Sequence, residues 1–214
     1  MTKPRLLLAD DHALVLDGFH KLLEERYDIV GHAEDGRRLL EAAQRLEPDV
    51  VIADISMPGL NGIDAVRQLR KVAPRTKVIF VTMHADPAYV SAAFRAGASG
   101  YLLKRSAGSE LIQAVQSVLQ GHSYVTPLVA TTLVNSAIGK TQFADADSPT
   151  LTPRQREVLQ LVAEGHTVKE IARILNVSPK TVEFHKTRIM DHLNLHTTAD
   201  LTKYAISHGL ISTE

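Results

Sequence analysis

Five side chains in the first half of the chain have types that together suit phosphoryl chemistry. Asp10 and Asp11 follow the first short apolar run, Asp54 follows the third, Thr82 ends the fourth and Lys104 follows the fifth. Clustered carboxylates repel one another unless a cation lies among them, and an all-oxygen ligand set favours a hard ion such as Mg²⁺. A metal ion and the Lys104 ammonium can neutralise phosphoryl oxygens, one of them hydrogen-bonded by Thr82, while an Asp54 oxygen attacks in line.

A simpler interpretation exists for each of these residues taken alone. Asp10 and Asp11 are also suitable as caps of a first helix, and Lys104 as one half of a surface ion pair. That all five residues fall at the ends of apolar runs favours a shared pocket.

The elements that must position these residues alternate along the chain. Five runs are apolar without alternation, which is typical of strands buried on both faces: Leu6–Ala9, Ile29–Ala33, Val50–Ala53, Val78–Thr82 and Tyr101–Leu103. Segments with helical spacing lie between them. The alternation predicts an α/β fold, a doubly wound five-stranded parallel sheet with helices on both faces. In such sheets ligand sites form outside the carboxyl ends of the strands, where the five residues are expected to meet.

The same segments resemble a known family. LLLADDH, VVIADISMPGLNGIDAV, VIFVTMH and GASGYLLK are similar to the receiver domain of two-component response regulators, which has a flavodoxin-like fold. The resemblance implies that Asp54 is the phosphoacceptor and that Asp10 and Asp11 are acidic residues of the metal site. It also implies that the Ser56 backbone carbonyl completes the protein ligands of the Mg²⁺ ion.

The resemblance also implies a pair of switch residues, and the chain departs from the receiver pattern at one position. Thr82 and Tyr101 are implied as the switch pair and Lys104 as the phosphate-binding lysine, while Ser56 and His84 occupy positions that tune the lifetime of the phosphoryl group. Many receivers place a cis proline after this lysine, but here Arg105 follows. Because a non-proline cis peptide costs about 2.5–4 kcal/mol, we predict a trans bond and a slightly different approach of the following helix.

The chain divides into three parts by pattern. We assign residues 1–123 to the receiver, 124–150 to a linker and 151–214 to a small helical domain. The segment Gly139–Pro149 is polar and aperiodic, as linkers are, and Pro127–Ile138 is suitable for a short connecting helix.

The last part predicts four helices through their capping signals. Thr152-Pro153 with Gln155 and Thr167 with Glu170 form capping boxes, Ser178-Pro179 opens the third helix, and Thr198 is the expected cap of the last, which runs to His208. The short turn before Pro179 predicts a helix-turn-helix. Ile171, Ala172 and Leu175 should face inward from one helix, and Val182, Ile189 and Leu193 from the next.

Exposed cations and one further resemblance point to DNA. From the pattern, Lys169, Arg173, Lys180, Lys186 and Arg188 face outward and are suited to phosphates, as are free N–H groups at Ser178–Thr181. A bundle with solvated charges is the plainer alternative. The string LTPRQREVLQLVAEGHTVKEIARILNVSPKTVEFHKTRIMDHLNL, however, resembles the LuxR-type DNA-binding domain, and a receiver joined to this domain is the layout of the NarL/FixJ class.

The LuxR-type resemblance implies that Pro179 to Leu193 is the recognition helix, with Glu183, Phe184 and Thr187 facing base edges. Glutamate can accept from cytosine N4 and phenylalanine can pack on a thymine methyl. The expected DNA-binding set is Lys169, Lys180, Thr181, Glu183, Phe184, Thr187 and Arg188.

Composition limits the partners. The chain has 214 residues, no cysteine and no net charge, and residues 151–214 hold 8 Lys+Arg against 7 Asp+Glu, a balance of +1. With so few cations, DNA affinity should depend on dimerisation. The N-terminal apolar run is too short for a signal peptide or a membrane span, so a cytoplasmic location is expected.

These observations predict a phosphorylation-dependent transcription regulator. A sensor histidine kinase or a small phosphodonor would phosphorylate Asp54, and homodimers would then bind related half-sites in double-stranded promoter DNA. Three alternatives remain: a phosphohydrolase, a constitutive DNA binder, and a protein adaptor. Phosphohydrolases resembling haloacid dehalogenases need an aspartate where Ser56 stands, so we expect slow self-dephosphorylation at most and no enzyme.

Overall fold

The computed structural model describes residues 2–131 and 151–211, which fall into two compact units. Among the described residues, no helix is both long enough and apolar enough to cross a bilayer.

The first unit is built on a parallel sheet of six strands. Their bounds are β1 Arg5–Ala9, β2 Asp28–Ala33, β3 Val50–Ala53, β4 Lys77–Thr82, β5 Gly100–Leu103 and β6 Tyr124–Val125. The order across the sheet is β2-β1-β3-β4-β5-β6. The five predicted strands are confirmed, and the order reverses at β1, which lies between β2 and β3.

The sixth strand corrects the prediction of five. Tyr124 and Val125 pair in parallel with Gly100 and Tyr101 of β5, so residues that we assigned to the linker extend the receiver sheet. The strand has only two residues, and both are half-buried. So short a run has no periodicity from which a strand can be predicted.

Five helices connect the strands: α1 Ala13–Leu23, α2 Gly36–Leu46, α3 Gly62–Val72, α4 Pro87–Ala96 and α5 Lys104–Leu119. Residues 127–131 are also helical and are called α6. The remainder of the predicted helix Pro127–Ile138 and the predicted linker Gly139–Pro149 lie outside the described residues.

Two apolar layers cover the sheet. Successive strand residues face opposite sides, so Leu7 and Phe80 belong to one buried cluster while Leu6 and Ile79 belong to the other. The first cluster packs against α2, α3 and α4, and the second packs against α1 and α5. The doubly wound prediction is confirmed.

The second unit consists of four helices: α7 Pro153–Ala163, α8 Val168–Ile174, α9 Pro179–Leu193 and α10 Thr198–Ser207. Both predicted capping boxes are present, at Thr152 and at Thr167. The cap of α10 was predicted one residue too late. Thr197, not Thr198, accepts the amide of Asp200, and the helix ends at Ser207 rather than at His208. Two adjacent threonines offer the same cap chemistry, and the backbone conformation selects between them.

The predicted inward residues form the core of this unit. Ile171, Ala172, Leu175, Val182 and Ile189 are buried, and Leu193 packs at the margin of the same cluster. This packing leaves the opposite side of α9 free of core contacts, and that side carries the residues predicted to bind DNA.

Candidate functional site

Three of the five predicted pocket residues meet at the carboxyl edge of the sheet. Asp10 follows β1, Asp54 follows β3 and Lys104 follows β5. The Nζ atom of Lys104 lies 2.7 Å from a carboxylate oxygen of Asp10 and 2.7 Å from one of Asp54. One ammonium thus joins residues that are 94 and 50 positions away from it in the chain.

Burial makes these ion pairs strong. Asp10 and Asp54 are 2% and 3% exposed, and the Lys104 side chain is 13% exposed. Burial by itself lowers the pKa of the Lys104 ammonium, but the bonds to Asp10 and Asp54 outweigh it, so the pKa is raised. Lys104 is therefore charged at neutral pH and balances one of the two buried carboxylates.

The loop after β3 holds Asp54 in place. The Asp54 amide donates to the Ala9 carbonyl at 2.8 Å, and the Ile55 amide donates to Asp54 Oδ1 at 2.6 Å. The loop then returns so closely that a Cβ atom at Gly62 would lie 2.0 Å from the Asp54 carbonyl oxygen. Because glycine has no Cβ atom, Gly62 allows the loop to pass this close to the Asp54 backbone.

A group of potential metal ligands lies beside the ion pairs. Asp10, Asp11 and His12 each place one ligand atom within 4.8 Å of the others. His12 Nδ1 lies 2.9 Å from Asp11 and 3.1 Å from Asp10, and the Asp11 charge, followed by the bond to Asp10, raises the pKa of His12. The carboxylate oxygens fit a hard divalent cation. His12 was not predicted to belong to the site, although its position directly after the two aspartates could have indicated it.

The two predicted switch residues contact the same loop residue. Thr82 is fully buried, and its Oγ1 accepts the His84 amide at 3.4 Å. The Tyr101 hydroxyl donates to the His84 carbonyl at 2.8 Å. Burial raises the pKa of Tyr101 far above its usual range, so this hydroxyl remains a donor. His84 therefore connects Thr82 with Tyr101.

The side chain of His84 makes a second set of contacts. Its Nε2 lies 2.8 Å from Ser56 Oγ, and its ring stacks on Tyr89 with centroids 4.0 Å apart. Burial lowers the pKa of His84, so the ring is neutral at pH 7. Tyr89 was not predicted to belong to the site. The Ser56 carbonyl as a metal ligand stays a prediction, whereas the predicted trans bond between Lys104 and Arg105 is confirmed.

The surface of α9 carries the second candidate site. The helix spans the predicted range Pro179–Leu193. Glu183, Phe184, Thr187 and Arg188 are exposed on it, as is Lys180 near its start, while Thr181 is half-buried. The Arg188 guanidinium lies over the Phe184 ring, 5.3 Å from its centroid. Lys169 of α8 is also exposed.

Two details of the predicted DNA surface need correction. The Thr181 amide is not free, because it donates to the Ser178 side chain and carbonyl. Lys186 is only half-exposed, and its ammonium donates to Thr198 Oγ1 at 3.0 Å. The cap of α9 thus uses an N–H group that we expected to be available to phosphate.

Comparison with known proteins gives a family for each of the two units. Residues 6–116 match the response regulator receiver domain, and residues 149–205 match the bacterial regulatory proteins of the luxR family. The oxygen regulatory protein NreC of Staphylococcus carnosus is 39% identical over 215 residues, which cover 97% of this chain and 99% of NreC.

Solved structures of the response regulator RcsB are also similar. RcsB of Salmonella enterica serovar Typhimurium, bound to promoter P1flhDC with the phosphomimetic BeF₃⁻, has a TM-score of 0.60 and 32% identity; the match covers 95% of this chain and 98% of that one. A structure of two RcsB dimers on two parallel DNAs has a TM-score of 0.59 and 31% identity, with coverages of 97% and 99%. The chain belongs to the response-regulator family, in the NarL/FixJ class that joins a receiver to a luxR-type DNA-binding domain.

Proposed function

We propose that this protein regulates transcription and that phosphorylation of Asp54 controls its binding to DNA. One observation carries the proposal: the Lys104 ammonium lies 2.7 Å from both the Asp10 and the Asp54 carboxylate at the carboxyl edge of the sheet. A buried carboxylate held beside a cation is suited to accept a dianionic group, because the cation keeps a partner before and after the transfer.

The transfer follows from the residues around Asp54. An Asp54 carboxylate oxygen bonds to the phosphorus of a phosphohistidine kinase or of a small donor such as acetyl phosphate, and the bond from phosphorus to the donor breaks. Lys104 then pairs with a phosphoryl oxygen, and the Thr82 hydroxyl donates to another. A Mg²⁺ ion held by Asp10, Asp11, Asp54 and the Ser56 carbonyl would supply further neutralisation of phosphoryl charge.

The switch begins at Thr82. In the structure its Oγ1 accepts from the His84 amide. A turn toward the phosphoryl group would remove that acceptor, and the loop that holds the Tyr101 hydroxyl would then rearrange. We infer that Tyr101 follows into the space that Thr82 leaves, a population shift driven by contacts that only the phosphoryl group makes.

DNA binding is assigned to α9 and to homodimers. RcsB has been solved as dimers on DNA, which supports the same arrangement for this chain. Two recognition helices related by a two-fold axis would enter successive major grooves about one helical turn apart. Exposed Lys180 and Arg188 are suited to phosphates, and Glu183 and Phe184 to base edges.

Phosphate-affinity electrophoresis tests the proposal. Wild type incubated with acetyl phosphate and Mg²⁺ should give a retarded band, and Asp54→Asn, which keeps the shape of the side chain, should give none. The exposed Asp17→Asn is the matched control and should shift like wild type. A retarded band from Asp54→Asn would place the phosphoryl group elsewhere.

A second measurement separates control by phosphate from constitutive binding. Genomic fragments bound by wild type with and without acetyl phosphate should differ in occupancy, and the dimer fraction in analytical ultracentrifugation should rise with phosphorylation. Equal occupancy in both states would indicate a constitutive binder. The absence of any bound site would favour a protein adaptor.

A further inference from the structure

The segment that follows α5 is hydrogen-bonded to the backbone of β5 and of the residue before it, and β5 is the strand that leads to Lys104. The Tyr124 amide donates to the Ser99 carbonyl at 3.1 Å, and the Thr126 amide donates to the Tyr101 carbonyl at 3.0 Å. Tyr101 belongs to the switch pair, so the segment on the way to the DNA-binding unit pairs directly with a switch residue.

One carboxylate fastens this segment from the other side. Glu110 of α5 accepts the Tyr124 hydroxyl at 3.1 Å and the Thr126 hydroxyl at 3.0 Å, both on Oε2. Thr126 is 1% exposed, and its Oγ1 in turn accepts the Leu103 amide at 3.3 Å. We call Glu110, Tyr124 and Thr126 the exit clamp.

The exit clamp is connected to the pocket by two short routes. Leu103, which donates to Thr126, directly precedes Lys104. In addition, α5 begins at Lys104 and carries Glu110, so both lie on one rigid helix about 9 Å apart along its axis. A displacement of Lys104 toward a phosphoryl group would therefore move both Leu103 and Glu110, and both of these residues are hydrogen-bonded to Thr126.

A glutamate on α5 could simply belong to a solvated helix face, but the hydrogen bonds to Glu110 contradict this explanation. Exposed carboxylates are usually hydrated, whereas Glu110 is half-buried and takes two hydroxyl donors on a single oxygen. Val129, three residues beyond Thr126, is 1% exposed within the receiver core, so the clamped segment continues into α6 as packed structure.

We propose that Glu110 is a positioning residue that couples the phosphorylation pocket to the segment leading to the DNA-binding unit, by holding Tyr124 and Thr126 on β5. The inference rests on the proposed function, since it concerns the route by which phosphorylation at Asp54 alters DNA binding. Without the exit clamp, the pocket still accepts the phosphoryl group, but α6 no longer follows the movement of β5 and α5.

The test compares four variants of the full-length chain. Glu110→Ala removes the shared acceptor, and Thr126→Val removes the buried hydroxyl while keeping the shape. Glu110→Gln keeps an acceptor oxygen and is the conservative variant. Gln113→Ala, at an exposed position on the same helix, is the matched control.

Two quantities are measured for each variant: the extent of phosphorylation by acetyl phosphate and Mg²⁺, and the ratio of DNA affinities with and without phosphorylation. The probe is a duplex selected in vitro with phosphorylated wild type. Allosteric coupling is typically about 5- to 150-fold. We expect phosphorylation of all variants to match wild type, and the affinity ratio to fall toward one in Glu110→Ala and Thr126→Val. Glu110→Gln should retain much of the wild-type ratio, and Gln113→Ala all of it.

Amide hydrogen exchange of residues 124–131 provides a readout that a general loss of stability would not reproduce. Exchange there should respond to beryllofluoride and Mg²⁺ in wild type, and should be fast and unresponsive in Glu110→Ala, while the β1 and β3 amides stay protected as in wild type. If Thr126→Val does not fold, Tyr124→Phe, which removes the other hydroxyl bonded to Glu110, replaces it and should also lower the affinity ratio.

The outcomes separate this inference from the proposed function. A wild-type protein whose DNA affinity does not change on phosphorylation would overturn both. A wild type with a clear gain, together with Glu110→Ala and Thr126→Val that are phosphorylated and show the same gain, would overturn the role of the exit clamp alone.

Discussion

Replacement of Lys104 by methionine provides the sharpest test of how the pocket is held together. Methionine keeps the length and apolar stem of the side chain but removes the ammonium. Asp10 and Asp54, which are 2% and 3% exposed, would then be left as two buried carboxylates without their shared cation. The variant should therefore be less stable than wild type when no divalent ion is present.

The magnitude follows from the burial of the partners. Removal of one member of a buried ion pair costs about 3–5 kcal/mol. Because the Lys104 side chain retains 13% exposure at the rim, water can partly replace it, and we expect the lower end, about 3 kcal/mol. The exposed Lys71→Met on α3 is the matched control and should change the free energy of unfolding by less than about 0.5 kcal/mol.

The assay is urea unfolding in EDTA and in excess Mg²⁺, followed by tyrosine fluorescence. Four of the five tyrosines precede residue 125, so the signal reports mainly the receiver. A cation bound between the carboxylates would take over part of the role of the ammonium. Mg²⁺ should therefore stabilise Lys104→Met more than wild type, through preferential binding to the folded state.

A second substitution checks the cause. Asp54→Asn in the Lys104→Met background removes one of the two buried charges and should restore at least about 1 kcal/mol of the free energy of unfolding. If the two substitutions acted independently, the double variant would instead show the sum of their separate effects. A free energy of unfolding for Lys104→Met in EDTA within about 1 kcal/mol of that of Lys71→Met would contradict this prediction, because two buried carboxylates without their shared cation should destabilise the fold by more than that.

Three further predictions concern residues around the two sites. Gly62→Ala should lower receiver stability by about 3 kcal/mol or more and prevent phosphorylation, measured by urea unfolding and phosphate-affinity electrophoresis, because its Cβ would lie 2.0 Å from the Asp54 carbonyl oxygen; wild-type behaviour would show that the loop can yield. His84→Asn should reduce the decrease in melting temperature on acidification below pH 6.5. Burial lowers the pKa of His84 in the folded state, so wild type loses stability as the pH falls through the unfolded-state pKa toward the folded-state pKa. The exposed His122→Asn is the control, and an unchanged slope for His84→Asn would contradict the prediction. Ser178→Ala removes the side-chain cap of α9 and should cost about 1 kcal/mol, seen as an earlier loss of helical circular dichroism; a neutral effect would mean that water replaces the cap.

Local sequence patterns predicted most of the fold, because the signals that mark strands and helix ends lie within a few residues of one another. Apolar runs marked five strands, and the capping boxes at Thr152 and Thr167 marked two helix starts to the residue. Such signals fail where neighbours are chemically equal or the element is very short. Thr197 and Thr198 show the first case, and the two-residue β6 shows the second.

The sequence by itself predicted that Asp10, Asp54 and Lys104 meet, because the carboxyl ends of parallel strands share one edge of the sheet, but it did not predict the places of His12 and Tyr89. Only the tertiary structure decided how they pair. That Lys104 contacts Asp10 and Asp54 together, that His84 connects Thr82 with Tyr101, and that Glu110 fastens Thr126 all depend on side-chain directions across distant segments. Spacing along a chain contains no such distances, since they arise when packing on both faces of the sheet fixes each backbone relative to the next.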